Sequence, residues 1–338
     1  MLHSRNIVFT GVNQVEVLDE PVPELGPRQA LLEARVSLIS TGTEGICLSH
    51  LYDSGTHWDE WIKYPHHPGY SMVADVVAVG TEARLFRGRE RVVSWTNHRR
   101  YNVMNEDALV PVPEGVSDEE AAWFAISLIV QNGVRSARHV LGEHVVVIGL
   151  GILGQLAVQY LRLLGARTVI AVDTAEARLE MARAHGATHC IQSTSDACRE
   201  QVFEITGGLG ADVVYDVTGN YRVLPDALRL LRRFGRVIVL GDTGQPSEQR
   251  LTGDLIRKGL QIIGTHATTP PPVSTDHARW SNAEMAALYF DYLRRGDIRV
   301  ADLITHRYSP EEAPEAYRML QTDRSTAMGV IFDWSRLE

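Results

Sequence analysis

The stretch Val145-Val146-Val147-Ile148-Gly149-Leu150-Gly151-Ile152-Leu153-Gly154 decides the fold. An unbroken β-branched run, sized for a strand buried on both faces, leads directly through G-x-G-x-x-G into an apolar segment of helical period over 152–164. In that context each glycine has its own duty. Gly149 permits the tight turn, Gly151 lets the main chain approach a pyrophosphate, and Gly154 lets the helix pack close to the strand. The N–H groups of the first helical turn, those of Ile152 and Leu153 among them, then face a phosphate at the positive end of the helix. A nucleotide-free α/β domain with a glycine-rich turn is the alternative if the glycines are read alone.

The next apolar run, 168–173, ends in Asp173, about 20 residues past the fingerprint. A carboxylate there accepts hydrogen bonds from the adenosine ribose hydroxyls and repels a 2′-phosphate, which favours NAD(H) over NADP(H). Arg178, a turn into the following helix, either touches the adenine face, meets a 2′-phosphate or is an exposed helix charge. Working outward, strand-like runs at 144–149, 168–173, 188–191, 211–216, 236–240 and 261–264 alternate with helical segments at 152–164, 175–185 and 222–234. That alternation predicts an α/β, doubly wound parallel sheet with helices on both faces, with the strand count of a complete dinucleotide-binding (Rossmann) fold. The segments Asp216-Val217-Thr218-Gly219 and Leu240-Gly241-Asp242 then fall on the carboxyl edge, where open α/β sheets bind ligands. Thr218 and Gly241 are candidate nicotinamide-side contacts, or merely small residues ending buried strands. Asn132, in Val130-Gln131-Asn132-Gly133, is a candidate contact to substrate or to the nicotinamide ribose.

The flanks read differently. Short alternating or apolar runs at 30–39, 72–79 and 91–94 make the first third β-rich, and Ser117-Asp118-Glu119-Glu120 resembles a capping box that opens a helix. Pro270-Pro271-Pro272 closes the alternating region; helices at 282–294 and 310–321 and a strand-like 328–334 follow. With 338 residues two domains are expected: a substrate domain from 1–119 and 266–338, and a nucleotide domain from 120–265.

Composition excludes several classes. At 44% hydrophobic and 22% charged the chain is that of an ordinary globular protein. No apolar run approaches the roughly 20 residues needed to cross a bilayer, and the first residues show no secretory core, so a soluble cytoplasmic protein with no membrane partner is expected. The net charge of −9, with the basic run Arg87-Gly88-Arg89-Glu90-Arg91 broken by its own glutamate, argues against a nucleic-acid partner and leaves a small-molecule substrate. Three cysteines, with no C-x-x-C pair, fit a reducing compartment and cannot build a four-cysteine zinc site.

Taken with "RVVSW", "LVPVPEGVSDEEAA", "DVVYDVTGN" and "YSPEEAPEAYRML", the run "GEHVVVIGLGILGQLAVQYLRLLGARTVIAVD" closely resembles the medium-chain dehydrogenase/reductase superfamily over nearly the whole chain. The resemblance implies a GroES-like substrate domain around a Rossmann domain and a homodimer or homotetramer. Zinc-bearing members carry a cysteine in a Cys-Gly-x-Asp-type motif and a later Gly-His-Glu. The matching stretches here place Ser40 near the cysteine, and Tyr70 and Ser71 where histidine and glutamate would stand. Hydroxyls are poor zinc ligands, so no zinc is expected. A site of another kind among Cys47, His50, His57, His66, His67 and His98 is the alternative, although their spacing matches no ordered motif. "ISTGTE" followed by "PGYSMVADVVAVG" looks most like a zinc-free branch that includes bacteriochlorophyllide 2-hydroxyethyl dehydrogenases and sugar-type dehydrogenases.

Without a metal, hydride transfer needs another route for the carbinol proton. Ser40, Thr43, Tyr70 and His98 are the candidate lining of the reacting cleft, with His98 or Tyr70 as acid/base; His98 is otherwise a surface residue beside Arg99 and Arg100. Glu44 either orients a catalytic hydroxyl or caps the helix that starts near Gly45. The expected activity is reversible hydride transfer between NAD(H) and a secondary alcohol or ketone, on a polyol, sugar or larger hydroxylated metabolite. Zinc-free quinone or enoyl reduction, and a non-catalytic NAD(H)-binding redox sensor, are the competing readings.

Overall fold

In the computed structural model, which describes residues 1–337, the decisive run forms the strand His144–Ile148 inside a six-stranded parallel sheet. Val145, Val146 and Val147 have no exposed surface, as expected of a strand covered on both faces. The strands lie in the order His189–Gln192, Thr168–Asp173, His144–Ile148, Ala211–Asp216, Leu231–Val239, Gln261–Gly264. Chain direction along the sheet reverses between His144–Ile148 and Ala211–Asp216, so the switch point lies at their carboxyl ends, beside Gly149 and Thr218.

The helix expected over 222–234 is shorter: Val223–Leu230 is helical and Leu231–Val239 is strand. Two features outside the helical pattern stop it. The Lys258 ammonium reaches the carbonyls of Arg229 and Leu231 at 3.1 and 2.8 Å, satisfying acceptors that the helix end leaves free. Phe234 takes a φ of 63°, which shifts the register between Ala211↔Leu231 and Val213↔Arg236. A short helix, Arg199–Ile205, also precedes the fourth strand in sequence.

The chain divides into two compact units, residues 1–51, 55–126 and 286–338 in one, and residues 52–54 and 127–285 in the other. The boundaries therefore fall later than the expected 119/120 and 265/266. Segment 121–123 is fully buried in the β-rich unit, where Ser71 Oγ donates to the Ala122 carbonyl at 2.6 Å. Segment 266–285 is held to the nucleotide unit by three side chains of one helix. Gln131 Nε2 donates to the Met285 carbonyl at 2.8 Å, Asn132 Nδ2 to the His266 carbonyl at 2.9 Å, and the Arg135 guanidinium lies 3.5 Å from the Trp280 ring centre.

The β-rich unit carries a seven-stranded sheet built on Gln29–Leu38, which pairs with Met72–Val79, Tyr101–Asn105 and Gly329–Asp333, and a separate hairpin, His3–Gly11 with Gln14–Pro21. The Ser117 capping box forms as expected: Ser117 Oγ accepts from Glu120 N at 3.2 Å, and Glu120 Oε2 accepts from Ser117 N at 3.1 Å. Among the described residues no helix is long and apolar enough to cross a membrane.

Candidate active site

In the nucleotide unit the glycines divide their labour as the motif requires. Gly149 has φ 92° and its absent β-carbon would lie 2.8 Å from Thr218 Cγ2, while a β-carbon on Gly154 would fall 2.1 Å from the Gly149 carbonyl oxygen. Beside Gly151 the space is open. The helix Ile152–Leu163 starts there with no side chain capping its first turn, so the N–H groups of Ile152 and Leu153 stand at an uncapped positive end. Asp173 is tied to this turn: its Oδ2 accepts from Leu150 N at 2.8 Å and its Oδ1 from Ala175 N at 2.9 Å. Arg178 leans on the same carboxylate at 3.9 Å and is not the freely exposed helix charge among the readings above. These features fit a dinucleotide.

Two of the expected contacts are otherwise engaged. The Thr218 hydroxyl donates to Asp216 Oδ1 at 2.7 Å and accepts from Asn220 N at 3.1 Å. Asn132 spends its amide on the His266 carbonyl and on Thr269 Oγ1, at 2.9 and 2.7 Å, and so acts as a loop anchor. Gly241 is required by packing, since a β-carbon would meet Gly219 N and Val217 C at 2.6 Å.

In the β-rich unit, Ser40, Thr43 and Tyr70 come together. The Tyr70 hydroxyl donates to Ser40 Oγ at 2.6 Å and also hydrogen-bonds Thr43, and its ring stacks on Trp95 at 5.7 Å. Burial pushes the Tyr70 phenol up to about 12, with the nearby Glu44 carboxyl adding to the push. His98 is not a surface residue: it is fully buried, with Nδ1 2.8 Å from Ser37 Oγ and Nε2 3.2 Å from Glu44 Oε2. Both ring nitrogens are committed within the core, which makes His98 a support. Gly69 lets the turn before Tyr70 cross the imidazole, because a β-carbon there would lie 2.6 Å from His98 Cδ2.

Glu44 is not a cap of the helix Thr43–Ser49, whose first turn has no side-chain cap. Its Oε1 accepts from Ser40 N at 2.7 Å, while Oε2 takes the Tyr317 hydroxyl as well as His98. Trp334 Nε1 completes the cluster by donating to Ser37 Oγ at 2.9 Å. Tyr317 and Trp334 have no local signal in the sequence that marks them as partners of the 40–44 turn; 273 residues separate Tyr317 from Glu44.

The places where the resemblance puts zinc ligands do not suit the metal. Ser40 and Tyr70 are bonded to each other, and the Ser71 hydroxyl is buried against the Ala122 carbonyl. Burial drives the Cys47 thiol far above its ordinary range, away from the thiolate that zinc requires. Among the described residues no group of three or more His, Cys, Asp or Glu side chains is arranged to hold an ion.

Residues 153–283 match the zinc-binding dehydrogenase family. The D-guloside 3-dehydrogenase of Escherichia coli K12 is 28% identical over 271 residues, 78% of this chain and 77% of its own. The L-threonine 3-dehydrogenase of Symbiobacterium thermophilum is 28% identical over 347 residues, 93% of each chain. Among solved structures, a protein of Sinorhizobium meliloti 1021 described as a zinc-binding dehydrogenase, bound to NADP, superposes with a TM-score of 0.80 at 19% identity, covering 98% of this chain and 100% of its own. An alcohol dehydrogenase of Escherichia coli CFT073 complexed with NADH gives 0.79 at 20%, covering 98% and 99%. The chain is thus similar to dehydrogenases over most of its length and shares the fold of the alcohol-dehydrogenase-like medium-chain dehydrogenases/reductases, which supports an oxidoreductase enzyme.

Proposed function

We propose that this oxidoreductase is NAD(H)-dependent and works without zinc, interconverting a secondary alcohol and its ketone on a polyol, a sugar or a larger hydroxylated metabolite. The observation that carries the reading is the Ser40–Tyr70–Thr43 hydroxyl chain, in which Ser40 and Tyr70 stand where the resemblance puts metal ligands. A relative named for a guloside supports a sugar substrate, and the acid at Asp173 supports NAD(H). The reading includes a homodimer or homotetramer in a reducing, cytoplasmic setting, in keeping with three free cysteines.

Gly149, Gly151 and Gly154, with the N–H groups of Ile152 and Leu153, would hold the pyrophosphate, and Asp173 the adenosine ribose. When bound, the nicotinamide ring supplies or accepts the hydride. The proton is the task of the β-rich unit. Because the Tyr70 hydroxyl donates to Ser40 Oγ, the Ser40 proton is free to point at a substrate oxygen. In ketone reduction Ser40 gives that proton to the developing alkoxide and takes another from Tyr70, to which water then returns a proton; alcohol oxidation reverses these transfers only after Tyr70 has first lost its proton to water, so it is favoured at high pH. Burial keeps Tyr70 protonated at neutral pH, the state a donor needs. Hydroxyls fixed in advance also stabilise alkoxide charge as it forms.

The test is reduction of a panel of ketoses and hydroxyketones by metal-depleted protein, with NADH and NADPH in parallel. NADH should bind at least ~10-fold more tightly than NADPH, and Tyr70→Phe should lower turnover by about 10²-fold with unchanged NADH affinity. Absent turnover across the panel, or full activity in Tyr70→Phe, would refute the proton route; preference for NADPH would refute the role given to Asp173.

A further inference from the structure

Asp216 ends the strand Ala211–Asp216 almost fully buried, at 1% exposure. Its Oδ1 accepts from Thr218 N at 3.1 Å and from Thr218 Oγ1 at 2.7 Å. The hydroxyl of Thr218 accepts from Asn220 N, and Asn220 Oδ1 accepts from Arg222 N, each at 3.1 Å. The Asp216 carbonyl closes the other side, taking Leu240 N at 3.0 Å and Gly241 N at 2.9 Å. Starting from Asp216, three side chains and one main-chain carbonyl thus set a succession of tight turns on the carboxyl edge of the sheet.

These turns stand in a confined place. Thr218 Cγ2 lies 2.8 Å from where a Gly149 β-carbon would be, and Gly219 N and Val217 C lie 2.6 Å from where a Gly241 β-carbon would be. A small displacement of the 217–219 backbone would therefore press on the fingerprint turn or on Gly241. Burial pushes the Asp216 carboxyl up to about 6, and only its Thr218 hydrogen bonds oppose that push. A buried carboxyl is an expensive way to end a strand, so its presence here calls for a reason beyond packing.

We infer that Asp216 is a positioning residue for the dinucleotide: it fixes the 216–220 turn against Gly149 and Gly241, so that the carboxyl edge is already shaped when the cofactor arrives. Since the Thr218 hydroxyl is committed to Asp216 and Asn220, the turn meets the cofactor through its main chain and the Thr218 methyl. The role concerns the nicotinamide cofactor itself and does not depend on the substrate, the proton route or the absence of zinc.

The experiment is fluorescence titration of the full chain with NADH and NADPH, comparing the parent with Asp216→Ala, Asp216→Asn and Thr218→Val. Asparagine keeps an oxygen that can accept both Thr218 donors; alanine keeps none. Asp216→Ala should raise both dissociation constants at least ~10-fold and by the same factor, Asp216→Asn should stay within about three-fold of the parent, and Thr218→Val should be weakened in the same sense. A folded Asp216→Ala that binds like the parent overturns the inference, as does an equal loss in Asp216→Asn. Should Asp216→Ala fail to fold, parent-like binding by Thr218→Val overturns it. Failure of the NAD(H) preference is distinguishable, because it would alter the ratio of the two constants in the parent and not their common factor.

Discussion

In Asp216 and Tyr70 burial favours the neutral form of a single side chain, with different consequences for each. The phenol of Tyr70 stays protonated at every physiological pH, which suits a donor, whereas the carboxyl of Asp216, near 6, changes state within reach of experiment. The sign of the Asp216 effect follows from linkage. Its folded value lies above the ordinary 3.8, so the native chain holds this proton more tightly than the unfolded chain does. The stability it contributes is complete below about 3.8 and is lost as pH rises through about 6. Asp216→Asn does not titrate and should escape that loss. Its stability relative to the parent, measured by urea unfolding, should therefore climb between pH 4 and pH 7, with roughly 3 kcal/mol as the ceiling for a difference of about two pH units. A relative stability that does not change with pH would show that Asp216 is not held in this way.

At the scale of elements, the helix Thr43–Ser49 depends on distant parts of its own unit. Its second residue, Glu44, holds Ser40 N and is held in turn by His98 and by Tyr317 from the helix Ala313–Thr322. Removing the Tyr317 hydroxyl takes one donor from a buried carboxyl and should destabilise the chain by about 1–3 kcal/mol. Tyr317→Phe should melt earlier and turn over more slowly while keeping its NADH affinity, since the fingerprint and Asp173 belong to the other unit; loss of NADH binding would contradict that division. These elements also mark the limit of what the sequence discloses. The fingerprint turn, the alternation of strands and helices and the place of Asp173 at a strand end were legible because each depends on residues close in the chain, where period and turn chemistry act. The burial of His98 was not legible, because it arises when Ser37 and Phe332, on separate strands, and Gly69, in the loop before Met72–Val79, converge. The end of the helix Val223–Leu230 was hidden for a similar reason: its terminal carbonyls are answered by Lys258, from the next crossover.

For the whole molecule the sharpest question is whether any part of either unit relies on a metal. A structural zinc would bring folding energy of its own, and stripping it would unfold the surrounding loop; a catalytic zinc would leave the fold in place but abolish turnover. The proposed zinc-free chemistry expects neither outcome. Its three cysteines are free, Cys47 and Cys198 being buried with thiols pushed upward by that burial, and no cluster of three acidic, histidine or cysteine ligands exists among the described residues. The ligand-like positions hold hydroxyls that already satisfy one another or the main chain. Dialysis against a strong chelator should therefore leave both the melting temperature and the rate of NADH oxidation unchanged, and added zinc should not raise the rate. A chelator-sensitive melting transition would point to a structural ion, whereas lost turnover restored by zinc would return the chain to metal-assisted chemistry and remove Tyr70 and Ser40 from the proton route.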